Sequence, residues 1–509
     1  INAEYGEMKL IQQQEVQQRF AKCLDQISQM VSTTFGPHGK TVALATSRYP
    51  EPRLTKDGIS VAKSLVFPAG PENTISSLVT SALERVDQKA GDGTTSATIF
   101  MCDLFKNCSQ LLQQEVSLPE LREQLQAVLA QSLEILEKLV QSPTQEMLRN
   151  VATTAANSQQ LGKLVFDAAQ HSDFCQILEG LEDKLEKISG LQYDVGALTP
   201  LLAFGDALVK PLVVVSDGEI STNAQLKPFM EKAFAAKQPL VVVAQDIKGE
   251  ALGTLLANKL NQVLKCTAIR GFGYGNQRKT NIADLAAILG LQRESSLNGD
   301  ENEQMWSGEC KSATVTSKTA FFETHDDKLL KTKLAKTIQE LKQELQSQNK
   351  SPYEKEIIQQ RISRYLQKAS KITTSNSEKK DRLQDALLAL RAARHGGVLK
   401  GSGNALMKIS QELSKIDNKT AKIDGKVAKL VAKSVEKVVQ TLAENSGMNF
   451  EFCKLKLQEG EMDVMGRQWG KVDVWDAAEG ARQMLKEGVN VVMEAVAVGG
   501  VVEEEKEGK

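Results

Sequence analysis

Gly91-Asp92-Gly93-Thr94-Thr95-Ser96-Ala97-Thr98 is the stretch that decides how the rest of the chain is read. Two glycines flank an aspartate and hydroxyl residues follow. From Ala97 a helical run begins, with Ile99, Phe100, Met101, Leu104 and Phe105 recurring on one side. A glycine-rich turn that opens a helix suits a phosphate. Unpaired backbone N–H groups point outward there, the helix dipole favours negative charge, and glycine lets the backbone come close. Thr94, Thr95 and Ser96 offer hydroxyls, and Asp92 offers oxygen to a hard cation such as Mg2+. The plainer alternative is a capped helix after a tight turn.

Two further glycine loops precede this octet. Residues 1–36 have Val16, Phe20, Cys23, Leu24, Ile27 and Val31 at three- and four-residue steps, which predicts helix. Thr34-Phe35-Gly36-Pro37-His38-Gly39-Lys40 ends it, because proline and glycine break the pattern. Thr41-Val42-Ala43-Leu44 reads as a strand, and Leu54-Thr55-Lys56-Asp57-Gly58 as a second turn into a helix. Lys56 is placed to pair with a phosphate and Asp57 to orient a water, although a Lys-Asp-Gly is often only a turn.

After the octet, residues 97–171 read as consecutive helices, with Asn157-Ser158 capping the next one. From about Gly190 the pattern changes. Leu212-Val213-Val214-Val215 and Leu240-Val241-Val242-Val243-Ala244 are short apolar runs of buried strands, with helices at 225–236 and 250–264 between and after them. This predicts an α/β insert with its own sheet. Residues 326–370 read as a helix pair broken at Ser351-Pro352, and 371–379 as a polar loop. A helix restarts at Arg382-Leu383-Gln384-Asp385, where Asp385 alone would be an ordinary first-turn acid. Gly396-Gly397-Val398-Leu399-Lys400-Gly401-Ser402-Gly403 is a fourth glycine loop, helices return, and the acidic end after Gly499 is expected to be disordered. Helices and glycine loops thus flank the insert on both sides.

Composition narrows the function classes. A chain of 509 residues supports several domains, and a net charge of −1 gives no reason to expect nucleic acid or an anionic membrane as partner. No run reaches the length of a membrane span, and the polar start carries no signal-peptide pattern. The start also lacks a Met, which suggests processing. The 7 cysteines include no CxxC and are expected to be reduced. The 4 histidines lie too far apart for a local metal motif. Gly271-Phe272-Gly273-Tyr274-Gly275 lacks the dinucleotide-loop spacing and is set aside.

Taken together the loops resemble the group I chaperonins, the 60-kilodalton heat-shock class. Thr34–Lys40 is similar to that family's T-L-G-P-K-G-R. Thr55–Gly58 and Gly91–Thr95 are intact, Ala156-Asn157-Ser158 matches A-N-S, and Gln384-Asp385-Ala386-Leu387 matches E-D-A-L. Gly190-Leu191-Gln192-Tyr193-Asp194 matches the start of the apical domain, and Gly249-Glu250-Ala251-Leu252 is intact. The resemblance implies a multidomain α+β chain: a mainly helical equatorial nucleotide-binding domain (residues 1–138 and 396–509), a small intermediate hinge domain (139–188 and 361–395) and an inserted α/β apical domain (189–360).

It implies an ATP-dependent chaperone for non-native polypeptides, working in rings of seven that are often stacked, with a co-chaperonin lid. ATP and Mg2+ would be held by Thr34, Phe35, Gly36, Pro37, Lys56, Asp92, Gly93, Thr94, Thr95, Ser96, Gly401 and Ser402, the metal by Asp92. Asp57 and Asp385 would be the catalytic pair that positions the attacking water. Ala197, Leu201, Leu202, Met230, Leu252, Leu256 and Ala257 would face the polypeptide. The expected location is cytoplasmic, or the matrix of a mitochondrion or plastid after loss of a transit peptide. The alternative is a non-hydrolysing paralogue that serves as a scaffold subunit, including in mixed rings.

Departures from the family pattern support that alternative. Its N-A-A and L-D-P stretches against the base and ribose align with Cys453-Lys454-Leu455 and Gln468-Trp469-Gly470, which match neither. Lys227 falls where an aliphatic would sit. Val195 and Thr373 replace a charge pair between subunits, and the triple glycine is Gly401-Ser402-Gly403.

Overall fold

The computed structural model describes residues 8–45, 52–114, 116–172, 175–273, 275–294, 304–325, 328–346, 352–366, 368–416, 423–459, 461–463, 468–470 and 473–504. Tyr274, Ser351 and the tail 505–509 lie outside them. The chain divides into two compact units, one of residues 1–167 and 374–509, the other of 168–373. The three-domain boundaries are a finer division than this one.

The first unit is a helical bundle. Gln13–Ser32 buries Val16, Phe20, Cys23, Leu24, Ile27 and Val31, the stripe its spacing predicts. That stripe joins one core with the helices Pro71–Ala90, Thr94–Gln114, Leu118–Leu139, Gly425–Asn445 and Ala478–Val496. Residues from both ends of the sequence therefore share a single core.

Two expectations about the termini are corrected. Residues 8–12 form a strand rather than helix, and Gly500–Glu504 forms its antiparallel partner rather than a disordered tail. Ile11 is the reason. It is buried at 2% exposure opposite Val501, so the alternation of apolar and polar residues on both ends closes a small sheet over the core.

The second unit carries two sheets. In the first, Leu212–Ile220, Leu240–Ile247 and Cys266–Arg270 run parallel, and Met305–Glu309 and Gln292–Glu294 extend the sheet antiparallel. Its apolar runs are buried because helices cover them, among them Asn223–Ala236 and Gly249–Leu260. The second sheet orders Cys175–Glu179, Lys368–Thr374, Lys184–Tyr193, Ala320–Glu323, Ser312–Val315 and Phe204–Val209. Sheet structure therefore begins before Gly190. Residues 368–374 also overturn the expected loop. Ala369, Ser370, Ile372 and Thr374 are buried, and the segment pairs with Lys184–Tyr193.

The helix pair is present as Lys328–Gln346 and Pro352–Tyr365, with Leu341, Ile358 and Ile362 between them. Arg361 and Tyr365 anchor it to buried Asp284 through hydrogen bonds of 2.8–2.9 Å. Among the described residues no helix is long and apolar enough to cross a membrane.

Candidate functional site

A cleft of about 450 Å³ opens in the first unit, where the three early glycine loops meet the helix Ser377–Gly396. Thr34, Phe35, Gly36, Pro37, Lys56, Asp57, Asp92, Gly93, Thr94, Thr95, Ser96, Asp385 and Ser402 all line it. Gly401 does not, because it packs behind the wall against Asp476. The helix Thr94–Gln114 starts at the cleft, so its N-terminus, with Thr94, Thr95 and Ser96, lines the opening. Asp57 is also a helix cap. Its carboxylate accepts from the Ile59 and Ser60 N–H groups at 3.2 and 3.0 Å, which fixes its orientation in the cleft.

Gly91 carries the approach of the Asp385 helix. Its φ of +65° belongs to the left-handed region, and a methyl there would stand 2.1 Å from the Leu388 Cβ and 3.0 Å from the Asp385 carbonyl oxygen. The expectation of a first-turn acid is corrected here. The helix begins at Ser377, so Asp385 sits two turns in and faces the loops. Burial, then Asp57, Asp87, Asp92 and Asp381, push its carboxyl well above the ordinary range.

Lys56, Arg382 and Lys400 are the cations among the lining residues. Burial and then Arg382 hold the Lys56 amine below its usual pKa. Lys400 lies over the Trp475 ring at 4.2 Å. Among the described residues no three His, Cys, Asp or Glu side chains converge as a metal cage. A Mg2+ at Asp92 would therefore need phosphate oxygens to complete its shell, as this ion commonly does.

The model of the TCP-1/cpn60 chaperonin family matches residues 27–195 and 216–506. The chain belongs to that family. Chaperonin CPN60-1, mitochondrial, of Zea mays is 29% identical to this chaperonin over 92% of the chain and 82% of its own length. Heat shock protein 60, mitochondrial, of Ajellomyces capsulatus is 29% identical over 84% and 75%. The hydrogenosomal chaperonin HSP60 of Trichomonas vaginalis is 29% identical over 76% and 86%. Among solved structures, the chaperonin gp146 of bacteriophage EL, crystallised in the presence of ATP-BeFx, aligns with a TM-score of 0.65 at 17% identity, covering 98% of this chain and 99% of that one. The chain is thus a divergent group I chaperonin with equatorial, intermediate and apical parts, and a molecular chaperone of protein folding. Its family works as ring oligomers on unfolded chains.

Cys453, Lys454 and Leu455 are not among the described residues that line the chaperonin cleft. Cys453 is buried in a small core with Met407, Val439 and Met462, and residues 468–470 form a hairpin strand with Glu461–Asp463. Asp476 lines the cleft instead, on the strand Trp475–Ala477 that pairs with Val398–Lys400. Burial, with Asp92 nearby, raises it to about 7. Asp476 was not among the expected site residues, because Trp475-Asp476-Ala477 is neither a glycine loop nor one of the matched motifs. Asp87, Asp381 and Arg382 also line the cleft without having been singled out.

In the inserted unit the expected polypeptide face is only partly surface. Leu201 is 57% exposed and Ala257 is exposed, while Ala197, Met230, Leu252 and Leu256 are half-buried against the core. Leu202 is fully buried. It is core, and that expectation is corrected. Its partners are Leu226, Phe229 and Leu255 of the same cluster. Exposed Phe234, Leu260 and Val263 add apolar surface that was overlooked.

Proposed function

We propose that this chaperonin binds ATP in the cleft of the first unit, hydrolyses it, and couples the cycle to capture and release of non-native polypeptide by the inserted unit. One observation carries the reading: Asp57, Asp92 and Asp385, far apart in sequence, line the same cleft beside a helix N-terminus. In this role Lys56 and the Thr94–Ser96 hydroxyls hold phosphate oxygens, Asp92 ligates Mg2+, and Asp476 meets the ribose. Mg2+ would neutralise charge on the transferred phosphoryl group. Asp57, locked as a cap, and Asp385, placed by its helix, orient the attacking water. Asp385, with its raised pKa, is suited to accept that water's proton.

Asp476 in the cleft favours hydrolysis over the scaffold alternative, because it leaves a carboxylate where a ribose could meet it. The names of the relatives favour an organelle matrix as location. Seven-membered, stacked rings and a co-chaperonin lid complete the reading. The test is steady-state ATP hydrolysis by the purified full chain, with its mass in solution recorded on the same sample. Turnover from a ring-sized assembly is the expected result. Folded, ring-sized protein that neither turns over nor binds nucleotide would establish the scaffold reading instead.

A further inference from the structure

We propose that Arg382 is the residue by which this cleft tells a nucleoside triphosphate from a diphosphate, its guanidinium meeting the terminal phosphate beside Lys56. The inference rests on the nucleotide reading above and extends it to a residue which that reading leaves idle.

Position comes first. Arg382 precedes Asp385 by three residues on the helix Ser377–Gly396, and residues three apart share a helix face. The packing against Gly91 that brings Asp385 to the loops brings Arg382 with it, and both line the cleft. Aim comes second. Glu378, one turn earlier, accepts from the Arg382 Nη2 at 2.7 Å. A guanidinium carries five N–H donors, so one such contact holds it without exhausting it.

Charge comes third. Lys56 lines the same cleft, in the turn after Arg53–Thr55, and after burial it is Arg382 that disfavours its protonated form. Two cations facing one gap repel each other unless an anion lies between them. Glu378 already offsets part of this repulsion, since it pairs with Arg382 and favours the charged form of Lys56, yet burial and Arg382 still outweigh it at Lys56, and Asp57, Asp87, Asp92 and Asp381 act on Asp385. Lys supplies a point charge and Arg a planar fork that grips a phosphoryl group through two oxygens. The diphosphate common to both nucleotides needs only the loop N–H groups, the hydroxyls and Lys56. The third phosphate is the one that meets a group carried by the Asp385 helix.

A merely structural Arg382, neutralising Asp381 and its neighbours, would affect both nucleotides alike, and this separates the two roles. The experiment titrates ADP and the β,γ-imido analogue of ATP, each with Mg2+, into the full chain by calorimetry. Wild type, Arg382→Gln, Arg382→Lys and Glu378→Gln are compared. Arg382→Gln is expected to weaken the triphosphate analogue roughly tenfold to a hundredfold, the usual range for one charged hydrogen-bonding group, while ADP affinity is kept. Arg382→Lys should recover part of the loss, and Glu378→Gln should show a smaller loss of the same selective kind. ADP binding by each variant doubles as proof that it folds. Equal losses for both nucleotides, or no loss for either, would overturn the role of Arg382 while wild-type binding left the nucleotide reading standing. Wild-type protein that bound neither nucleotide would remove both.

Discussion

Asp385 and Asp476 are carboxylates that the fold holds where charge is disfavoured, and this has a measurable sign. A folded-state pKa above the unfolded value of about 4 means that the folded chain grips the proton more tightly. The stability this lends is complete below about pH 4, and it is lost as the pH rises through about 7 for Asp476. Without nucleotide or Mg2+, Asp476→Asn should therefore melt above wild type at pH 7.5, and the two should converge near pH 4; thermal melts followed by circular dichroism across that range check it. The same variant should bind nucleotide more weakly, since stability gained at a site is commonly function lost. Asp385→Ala should reduce hydrolysis by roughly 10²–10⁴-fold, the usual span for a general base, with nucleotide binding intact. Single-turnover hydrolysis alongside calorimetry separates the two. An unchanged rate would take Asp385 out of the chemistry. Asp57 and Asp92 were legible because each sits in a short intact motif, and Asp385 because Gln384-Asp385-Ala386-Leu387 departs from E-D-A-L at one position. Asp476 was not legible, because Val474-Trp475-Asp476-Ala477 is no glycine loop and matches none of the quoted motifs.

At the scale of elements, the contact of the helix Ser377–Gly396 with Gly91 is the joint on which the site depends. Gly91→Val adds a branched side chain at a left-handed φ and drives it into Leu388. The expected outcome is a lower melting temperature and a loss of hydrolysis comparable to that of Asp385→Ala. Gly480→Ala is the control, since a methyl there meets nothing closer than 3.6 Å. Most of the long helices were legible because their apolar stripes repeat at 3.6 residues whatever they pack against, whereas Gly275–Leu289 was not read as a helix. Strands were legible only as unbroken apolar runs such as Val213–Val215. The segments 8–12, 368–374 and 500–504 are short, polar on one face and defined by a partner strand distant in sequence, so local pattern could not reveal them. Removing residues 500–509 should lower the melting temperature, because it uncovers Ile11, whose burial contributes on the order of 2 kcal/mol. An unchanged melt would show that the small sheet adds nothing.

At the scale of the whole molecule, all seven cysteines are free and buried, spread over both units. Burial pushes the thiols of Cys23, Cys108 and Cys310 up to about 12, so at neutral pH they are protonated and shielded. Ellman's reagent should label almost none in the native chain and all seven in denaturant. Fast native labelling would mean that a unit opens. Each cysteine thus reports local opening of the unit that holds it.

The first unit is built from the two ends of the chain, and this ties the site to the order of synthesis. Asp57, Asp92 and the early glycine loops leave the ribosome first, yet the wall that completes their cleft is encoded after residue 374, and the last strand over Ile11 ends at Glu504. The intervening segment 168–373 is continuous and emerges whole. A nascent chaperonin therefore has its inserted unit in full while its early glycine loops still lack the other half of their cleft. Until residues 374–504 follow, the apolar stripes of the early helices lack the partners with which they share their core.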